Sequence, residues 1–418
     1  MERTVSGVLK GTVTPPPSKS QAHRLLICAA LAAEPCRILC SSVNDDIMAT
    51  MRSLNALGAS IAYSRGIFEI QPIKVVRNAV LDCGESGSTL RFLMSVAAVL
   101  GADATFIGGG KLPQRPMGDL LGVLAEHGMA FERYSADELP VTCSGTLRGG
   151  RFSIPGNLSS QYLTGLLFAL PLASEDSEIE VTGTMTSASY ISMTLEALRI
   201  AGIVIVQEGN VFKVKGGQQY RMPSEVAVEG DWSSAAFWIV AGVTGKNPLT
   251  VCGMNAASLQ GDSQVVDHLR LMGAFVEETA DGIVAMPSHL FGAEIECTDT
   301  PDLLPILSVA AAVAQGTTTF TGVGRLRFKE SDRLEAMKRT LASFGIVSQV
   351  GEDTFTVHGG TPAVSGTVDS FGDHRIAMSA AIMSCVASGL TVIDNAACVA
   401  KSYPSFFDDF AMLGGDVE

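Results

Sequence analysis

One short pattern occurs six times along the chain: an apolar stretch with helical spacing, then a glycine, then residues typical of a β-strand. The copies are SLNALGASI, LGVLAEHGMAF, LEALRIAGIVI, DHLRLMGAFV, TLASFGIVS and DFAMLGGDV. Their glycines are Gly58, Gly128, Gly202, Gly273, Gly345 and Gly414, and successive glycines are 69 to 74 residues apart. A glycine directly after a helix can adopt the positive φ that strains other residues. The near-constant spacing predicts six copies of one structural unit.

The segments around each glycine predict what one unit contains. After the first five glycines comes a hairpin pattern of two short strands around a polar turn, as in YSRGIFEIQP, QEGNVFKVKG and GEDTFTVHGG. An earlier strand and an earlier helix precede the glycine-terminated helix. Examples of the earlier helix are STLRFLMSVAAVL, SSQYLTGLLFALPLA and DWSSAAFWIVAGV. Each unit is therefore predicted as helix, strand, helix, strand, strand.

The repeat also predicts how the chain divides into domains. The chain has 418 residues, more than the ~250–300 that one hydrophobic core accommodates. The sixth unit lacks its hairpin, and the strand pattern SGVLKGTV at the N-terminus is predicted to complete it. We expect an N-terminal lobe of three units at residues 18–229 and a C-terminal lobe of three units at residues 1–17 plus 230–418. The chain would cross between them at Pro15–Ser20 and Val226–Gly230, and a cleft between domains is a common ligand site.

Charge, apolar runs and cysteines exclude several classes of protein. The net charge of −14 argues against a broad nucleic-acid surface, because such binding depends on Lys and Arg. The longest apolar stretches, Leu90–Leu100 and Leu303–Ala314, are shorter than the ~20 residues of a membrane span. The nine cysteines form no C-x-x-C pair, which indicates reduced thiols, and the first residues lack the apolar segment of a signal peptide. We expect a cytoplasmic protein that binds neither nucleic acid nor membrane.

The first helix of each unit is predicted to begin with polar and often basic residues. These segments are SKSQAHR (18–24), GESGSTLR (84–91), NLSSQY (157–162), EGDWSS (229–234), TPDLL (300–304) and FGDHR (371–375). Free N–H groups and the helix dipole make helix N-termini anion sites, and Lys19, Arg24, Arg91 and Arg375 add positive charge there. Ordinary N-capping by Ser, Thr and Asp is the alternative for any one unit. Basic residues are unfavourable at this end of a helix, so their recurrence in three units indicates phosphate or carboxylate binding.

Further basic residues lie outside these segments. QRPMGDL places Arg115 before a helix, and LRFKESDRLEAMKR places Lys329, Glu330 and Arg333 within one predicted turn. Lys329 and Arg333 would then share one helix face at i,i+4 spacing. The alternative for this segment is a solvated helix start with local ion pairs.

Three single residues also have simpler interpretations. Asp302 follows Pro301 and is most simply an N-cap. Lys401, taken alone, resembles a surface lysine. His374 could be a structural histidine, half-buried at a helix start.

Read in order, the segments resemble the enolpyruvyl transferases, and among them the 5-enolpyruvylshikimate-3-phosphate synthases. The matching segments are SKSQAHR, GESGSTLRF, LPQRPMGDL, NLSSQYLTGLL, SASYISMTL, EGDWSSAAF, SLQGD, TPDLLPIL, FKESDRLEAM, GDHRIAM and AKSYP. They follow one another in order over essentially the whole length of the chain, and K-E-[ST]-D-R together with the other segments is very specific. The resemblance implies an α/β fold of two lobes, each an inside-out α/β barrel of three repeated units.

The resemblance also implies the reaction and its residues. Phosphoenolpyruvate would transfer its enolpyruvyl group to the 5-hydroxyl of shikimate 3-phosphate by addition and elimination of phosphate, in a monomer without metal or organic cofactor. Shikimate 3-phosphate would contact Lys19, Ser20, Arg24, Ser159, Ser160, Gln161, Ser187, Tyr190, Asp302 and Lys329. Phosphoenolpyruvate would contact Lys19, Gly87, Arg91, Arg115, Gln161, Arg333, Arg375 and Lys401. Asp302 would accept the hydroxyl proton, and Lys19 and Glu330 would handle the methylene proton.

The sequence departs from the family pattern at three positions. Pro17 stands where relatives usually have Gly, Glu85 where they have Asn, and Arg325 where they often have Asn. A proline fixes φ, and a carboxylate near an anion site weakens anion binding unless it is paired.

Three alternative functions fit the sequence less well. The enolpyruvyl transferases that act on UDP-N-acetylglucosamine have a cysteine five residues before the loop arginine, where this chain has Gly110. An RNA 3′-phosphate cyclase would require a basic RNA surface, which an acidic chain fits poorly. A relative that only binds anions would not require Asp302 and Glu330 together with the basic residues.

Overall fold

The computed structural model describes residues 2–156, 159–183, 185–280, 282–360 and 366–418. These residues form twelve α-helices and twenty-four β-strands. The helices are α1 (Lys19–Ala30), α2 (Asp45–Leu57), α3 (Gly87–Leu100), α4 (Gly118–Glu126), α5 (Ser160–Ala169), α6 (Ala188–Ile200), α7 (Trp232–Thr244), α8 (Val265–Leu271), α9 (Leu304–Val313), α10 (Arg333–Ser343), α11 (His374–Ser384) and α12 (Phe406–Met412). Short 3₁₀ turns lie at Leu112–Gln114, Leu170–Leu172, Gly261–Gln264, Pro301–Leu303, Gly324–Phe328 and Ala396–Lys401.

The strands are short, with three to six residues each. They are β1 (Arg3–Gly7), β2 (Gly11–Val13), β3 (Cys36–Leu39), β4 (Ser60–Ser64), β5 (Ile67–Gln71), β6 (Ala79–Asp82), β7 (Ala104–Ile107), β8 (Met129–Arg133), β9 (Val141–Gly145), β10 (Gly150–Pro155), β11 (Ser177–Thr182), β12 (Ile205–Glu208), β13 (Val211–Val214), β14 (Glu225–Ala227), β15 (Leu249–Val251), β16 (Phe275–Thr279), β17 (Gly282–Met286), β18 (Glu294–Glu296), β19 (Thr317–Thr321), β20 (Val347–Val350), β21 (Thr354–His358), β22 (Thr367–Asp369), β23 (Thr391–Asp394) and β24 (Gly415–Val417).

The chain separates into two compact units. Unit 1 consists of Met1–Ser18 with Glu229–Glu418, and unit 2 consists of Lys19–Val228. Each unit has its own hydrophobic core. In unit 1 the rings of Trp238 and Phe406 stack with centroids 4.9 Å apart. In unit 2 the rings of Phe92 and Phe168 meet edge to face at 5.8 Å.

All six sheets share one strand order, in which the first two strands are parallel and the later neighbours are antiparallel. In unit 2 the sheets are β14-β3-β5-β4, β6-β7-β9-β8 and β10-β11-β13-β12. In unit 1 they are β2-β15-β17-β16, β18-β19-β21-β20 and β22-β23-β1-β24. The predicted unit is confirmed, and the structure adds a parallel edge strand to each sheet. In four sheets this strand precedes the first helix of the same unit, whereas β14 precedes α7 but pairs with β3, and β2 precedes α1 but pairs with β15. Four of the six edge strands, β14 among them, have only three residues, too few to show period-two alternation.

The N-terminal segment contributes to two different sheets. β1 pairs antiparallel with both β23 and β24, and it therefore lies inside the sheet of the sixth unit. β2 pairs in parallel with β15 in another sheet. The pattern SGVLKGTV is thus two strands, with Gly7 at φ 130° and Gly11 at φ 110° on either side of the break. Positive φ at both glycines lets the backbone leave one sheet and enter the next.

The six repeated glycines confirm the conformation predicted for them. All six adopt positive φ, from 72° at Gly202 to 119° at Gly58. The N–H of Gly58 donates to the carbonyl oxygens of Asn55 and Leu54 at the end of α2. A Cβ added there would lie 2.2 Å from the carbonyl oxygen of Val75, so glycine is required at this helix end.

The first helices of the units begin within or directly after the predicted polar segments. Four of these helices have an N-cap side chain that accepts a backbone N–H: Ser86 before α3, Ser159 before α5, Asp231 before α7 and Asp373 before α11. Ordinary capping and basic residues therefore coexist at these positions. Asn157 and Leu158, the first two residues of the segment 157–162, lie outside the described residues.

The helices of the described residues are too short or too polar for a membrane span. The longest, α3, has 14 residues, and none meets the length and hydropathy that a span requires.

Candidate active site

The predicted site residues form clusters within each unit. Unit 2 contains Lys19, Ser20, Arg24, Gly87, Arg91, Arg115, Ser159, Ser160, Gln161, Ser187 and Tyr190. Unit 1 contains Asp302, Lys329, Glu330, Arg333, Arg375 and Lys401.

Lys19 is the first residue of α1, and its ammonium group is paired. The Nζ atom lies 2.9 Å from Oδ2 of Asp46 in the first turn of α2, and both side chains are largely buried. The motif at residues 18–24 predicts Lys19 but not its partner. Asp46 belongs to the pair Asp45–Asp46, which the sequence presents only as the acidic start of a helix.

Arg24 is buried and bonded to protein acceptors on two helices. Its Nη1 donates to the carbonyl oxygen of Ser20 at 2.7 Å, and its Nη2 to that of Tyr190 at 2.9 Å. Nε donates to the hydroxyl of Thr194 at 3.0 Å. Burial lowers the pKa of Arg24 to about 10, so the guanidinium stays charged at neutral pH. Arg24, Ser20 and Tyr190, all predicted to contact shikimate 3-phosphate, are therefore in direct contact.

Two guanidinium groups converge on the first residue of α3. A Cβ built at Gly87 would lie 2.8 Å from Nη1 of Arg91 and 2.9 Å from Nη1 of Arg115. The N-cap of the helix is Ser86, whose hydroxyl accepts the N–H of Thr89. A helix N-terminus beside two arginines is suited to a phosphate or a carboxylate.

Gln161 connects this group to α5. Its Oε1 accepts from Nη1 of Arg91 at 2.7 Å, and its Nε2 donates to the hydroxyl of Ser88 at 3.0 Å. Its backbone N–H donates to the hydroxyl of Ser159 at 3.2 Å. Ser160 is the first residue of α5. The amide of Gln161 thus bridges the starts of α3 and α5.

Ser187 stands at the start of α6 in an unusual backbone conformation. Its φ is 58°, in the left-handed region that serine adopts rarely. The residue is buried, and its carbonyl oxygen accepts the N–H of Tyr190 at 3.1 Å. A strained residue of this kind at a helix start marks a candidate functional position.

In unit 1, Arg333 is surrounded by three carboxylates. Its side chain is 1% exposed. Nε donates to Oδ2 of Asp373 at 2.8 Å, Nη1 to Oδ1 of Asp302 at 2.6 Å, and Nη2 to Oε2 of Glu330 at 2.7 Å. Burial alone would lower the pKa of Arg333, but the three carboxylates raise it above its usual value. Arg333 is thus a permanent cation that organises this cluster.

Asp302 contacts two further cations. Its Oδ2 lies 3.2 Å from Nη2 of Arg375, and its Oδ1 lies 3.5 Å from Nζ of Lys329. Burial alone would raise the pKa of Asp302, but Arg375, Lys329 and Arg333 hold it well below its usual range. Burial lowers the pKa of Lys329 to about 8, against the opposing effect of Asp302. In this structure Asp302 is therefore a charged carboxylate.

Glu330 lies between Arg333 and Lys401. Its Oε1 is 3.9 Å from Nζ of Lys401, whose side chain is 9% exposed. Lys401 ends the 3₁₀ turn Ala396–Lys401. The interpretation of Lys401 as a surface lysine is therefore wrong.

Three other local interpretations from the sequence are also wrong. Lys329 and Arg333 do not share a helix face, because Asp332 caps α10 and the helix begins only at Arg333. Asp302 is not an N-cap: Thr300 occupies that position before the 3₁₀ turn, and the Asp302 carboxylate contacts cations instead. His374 is the first residue of α11 and is fully buried rather than half-buried.

Asp373 and Asp262 complete the unit 1 cluster, and neither had been assigned a role. Asp373 is fully buried; besides Arg333 it accepts from the hydroxyl of Ser331 at 3.1 Å. Asp262 is buried and accepts a hydrogen bond from the hydroxyl of Ser233. Burial and the charge of Asp302 raise the pKa of Asp262 to about 6. Both residues belong to matching segments, SLQGD and GDHR, and in the sequence only Asp373 stands beside basic residues.

The positions that depart from the family pattern have identifiable contacts. A Cβ at Gly110 would lie 2.4 Å from the carboxyl carbon of Glu85, so a cysteine there would collide with Glu85. Arg325 donates from Nη2 to the carbonyl oxygen of Thr298. Pro17 forms an antiparallel bridge with Gly230 inside unit 1.

Comparisons with known proteins identify the family of this chain. The family described as EPSP synthase (3-phosphoshikimate 1-carboxyvinyltransferase) matches residues 4–410. Proteins named 3-phosphoshikimate 1-carboxyvinyltransferase from Clostridium kluyveri and Clostridium acetobutylicum are 40% and 39% identical, and each alignment covers 98% of this chain and 96% of the relative.

Solved structures are similar over the full length. An EPSP synthase from Acinetobacter baumannii aligns with a TM-score of 0.84 and 26% identity, covering 100% of both chains. The enolpyruvyl transferase NikO from Streptomyces tendae aligns with a TM-score of 0.81 over 100% of this chain and 98% of its own, at 19% identity, and supports the fold alone. The two-unit α/β architecture, the motifs and these matches together show that the chain belongs to the EPSP synthase family.

Proposed function

We propose that this protein transfers the enolpyruvyl group of phosphoenolpyruvate to the 5-hydroxyl of shikimate 3-phosphate and releases phosphate. Membership of the family supports the reaction, since its relatives are named 3-phosphoshikimate 1-carboxyvinyltransferase. One observation carries the proposal in this chain. The carboxylate that would accept the hydroxyl proton, Asp302, is held by Lys329, Arg333 and Arg375 within a largely buried cluster.

The charges of the clusters suit two anionic substrates. Each phosphate brings up to about two negative charges at neutral pH, and both substrates also carry carboxylates. Burying such charges without partners is prohibitive. Charge-assisted hydrogen bonds from lysine and arginine compensate for it at roughly 1.5–3 kcal/mol each. We assign shikimate 3-phosphate to Lys19, Ser20, Arg24, Ser159, Ser160, Gln161, Ser187, Tyr190, Asp302 and Lys329, and phosphoenolpyruvate to Lys19, Gly87, Arg91, Arg115, Gln161, Arg333, Arg375 and Lys401.

Binding of an anion would make Asp302 a better base. Without substrate, three cations stabilise its charged form and hold its pKa low. A phosphate or carboxylate that contacts Lys329 or Arg375 neutralises part of that charge, so the proton affinity of Asp302 rises. Asp302 would then accept the proton of the 5-hydroxyl as this oxygen attacks the enolpyruvyl carbon.

Protonation of the enolpyruvyl methylene requires a separate donor. We assign this step to Lys19 and Glu330, and the same groups would take the proton back when phosphate leaves. Lys19 is paired with Asp46, and Glu330 with Arg333 and Lys401. These ion pairs hold both groups in place, so that the Lys19 ammonium can give a proton and the Glu330 carboxylate can take one.

The substitution Asp302→Asn tests the proposal. We expect phosphate release with both substrates to fall on the order of 100-fold or more, the range for loss of a general base. Asp409→Asn is the matched control, because Asp409 accepts a hydrogen bond from Tyr403 elsewhere in unit 1, and it should retain wild-type turnover. Circular dichroism and thermal unfolding check the folding of both variants.

Two outcomes would contradict the assignments. Near-normal turnover by correctly folded Asp302→Asn would exclude Asp302 as the base. Phosphate release by the wild type with UDP-N-acetylglucosamine but not with shikimate 3-phosphate would exclude the proposed acceptor. The monomeric state and the cytoplasmic location stay predictions from the sequence.

A further inference from the structure

The backbone carbonyl of Pro116 in unit 2 accepts two hydrogen bonds from side chains of other elements. The hydroxyl of Tyr162 on α5 donates to it at 2.7 Å, and Nη2 of Arg91 on α3 donates at 3.2 Å. Both donors are buried, with exposed fractions of 3% and 4%. Pro116 directly follows Arg115, so these bonds act on the backbone next to a predicted ligand arginine.

Tyr162 and Arg91 also contact each other. Cζ of Arg91 lies 5.8 Å from the centroid of the Tyr162 ring, within the range of a cation–π interaction. Burial raises the pKa of the Tyr162 hydroxyl, so it remains a hydrogen-bond donor at neutral pH. Tyr162 therefore supports both the Pro116 carbonyl and the guanidinium of Arg91.

The backbone around Arg115 is held from both sides. Its own N–H donates to the carbonyl oxygen of Leu112 at 3.1 Å, and the bonds to Pro116 hold the next residue. Gln114 and Pro116 are exposed between the buried side chains of Leu112 and Met117. The N–H of Glu138 also donates to the carbonyl oxygen of Pro113 at 2.7 Å, so the start of this segment is held without Tyr162. The bonds to the Pro116 carbonyl act on its other side, directly after Arg115.

We propose that Tyr162 is a positioning residue, whose hydroxyl holds the Pro116 carbonyl and so keeps Arg115 beside Gly87 and Arg91 for phosphoenolpyruvate. This inference rests on the proposed function, because it takes the anion bound there to be phosphoenolpyruvate. In this role Tyr162 does not itself contact the substrate. It acts by raising the fraction of molecules in which Arg115 is ready to bind.

The substitution Tyr162→Phe removes the hydroxyl and keeps the ring against Arg91. We expect the KM for phosphoenolpyruvate to rise about 3- to 10-fold, the change that corresponds to one lost hydrogen bond. The kcat should stay within about twofold of wild type, and the KM for shikimate 3-phosphate should not change.

Tyr220→Phe is the matched control within the same unit. The Tyr220 hydroxyl is also buried and also donates to a backbone carbonyl, that of Phe168 at 2.6 Å. A general loss of stability would affect both variants alike. Equal kinetic effects in the two variants, or an unchanged KM for phosphoenolpyruvate in Tyr162→Phe, would overturn the proposal.

Hydrogen exchange by mass spectrometry gives a readout that does not depend on activity. The amides between Leu112 and Gly118, those of Pro113 and Pro116 being absent, should exchange faster in Tyr162→Phe than in wild type or in Tyr220→Phe. Unchanged exchange would overturn the proposal even if kinetics differ. If the wild type proves inactive, the proposed function fails, while the exchange experiment still decides whether Tyr162 restrains this segment.

A double mutant tests whether Tyr162 acts through Arg115. In an Arg115→Ala background, adding Tyr162→Phe should not raise the KM for phosphoenolpyruvate further. If the two effects instead multiply, Tyr162 acts by another route and the positioning role is wrong.

Discussion

At the scale of single residues, the charged groups of unit 1 stabilise one another before any substrate is present. Four cations each lie within 4.0 Å of a carboxylate oxygen. Three of them contact Asp302, namely Lys329, Arg333 and Arg375, and the fourth, Lys401, contacts Glu330. Buried ions are tolerated only when they are paired. An arriving phosphate or carboxylate therefore competes with protein carboxylates for the same cations. Substrate affinity depends on the balance between these carboxylates and the cations, and not on the cations alone.

The buried carboxyl group of Asp262 gives a prediction about how the stability of the protein depends on pH. Its pKa is raised from 3.8 to about 6 by burial and by Asp302. Because the folded pKa exceeds the unfolded one, ionisation of Asp262 lowers stability as pH rises from about 4 to 6, and the loss is complete above that range. Asp262→Asn should therefore raise the free energy of unfolding at pH 7 on the order of 1–3 kcal/mol. Toward pH 4 the two proteins should have the same free energy of unfolding, because Asp262 is then protonated in the wild type.

Urea unfolding between pH 4 and 8 measures this difference. Asp267→Asn on α8 is the control, because its side chain is 78% exposed and should show no such pH dependence. A variant Asp262→Asn that is less stable than wild type at pH 7 would show that the charge of Asp262 stabilises the fold.

At the scale of elements, the repeated glycine of the first unit ends α2 at a position where a side chain has no room. Gly58 combines a φ of 119° with a Cβ position 2.2 Å from the Val75 carbonyl oxygen. Gly58→Ala should therefore lower the free energy of unfolding by roughly 2–4 kcal/mol, from conformational strain and steric overlap together. Gly209→Ala in the turn between β12 and β13 is the control, with a φ of 61° and no atom within 4 Å of the added Cβ.

Comparison of Gly58→Ala with Gly209→Ala separates the cost of backbone strain from the cost of steric overlap with Val75. Gly209→Ala should cost only about 1–2 kcal/mol, the strain of a left-handed alanine. Denaturant unfolding of both variants provides the comparison. Equal losses would mean that the backbone near Val75 moves away without cost, and that collision does not contribute at Gly58.

At the scale of the whole molecule, the two ends of the chain meet in one sheet. The N–H of Thr4 donates to the carbonyl oxygen of Glu418, and the N–H of Glu418 donates to that of Thr4, both at 2.9 Å. A circular permutant that joins Glu418 to residue 1 through a short flexible linker should therefore fold. New ends at the exposed turn Gly209–Asn210 should preserve turnover, because no sheet is interrupted there.

A second permutant provides the contrast. New ends inside β13 would cut a strand that pairs with both β11 and β12, and this protein should lose most of its stability. Thermal unfolding and phosphate release measure both permutants. Loss of folding in the first permutant would show that the order of the units along the chain matters beyond their contacts.

Much of this architecture is encoded within short stretches of sequence. The conformation of Gly58 and the hairpin of β12 and β13 depend on neighbouring residues, so local patterns were sufficient to predict them. The capping of α3 and α11 at Ser86 and Asp373 is local in the same way. The similarity of the motifs then identified the family and the residues to examine. Three-residue edge strands such as β14 were missed, since they depend on a neighbouring strand and carry no pattern of their own.

The partners of the charged residues were decided by the tertiary structure. Lys19 pairs with Asp46, Arg333 with Asp373, and the Pro116 carbonyl with Tyr162, at separations of 27, 40 and 46 residues. The sequence shows which cations require a partner if they are buried, but several carboxylates in the chain could pair with each of them. Packing selects among them, because hydrogen bonds and ion pairs act over a few ångströms that only the folded chain defines. The sequence by itself thus determined the repeat, the family and the chemistry available, and the fold determined which groups hold one another in place.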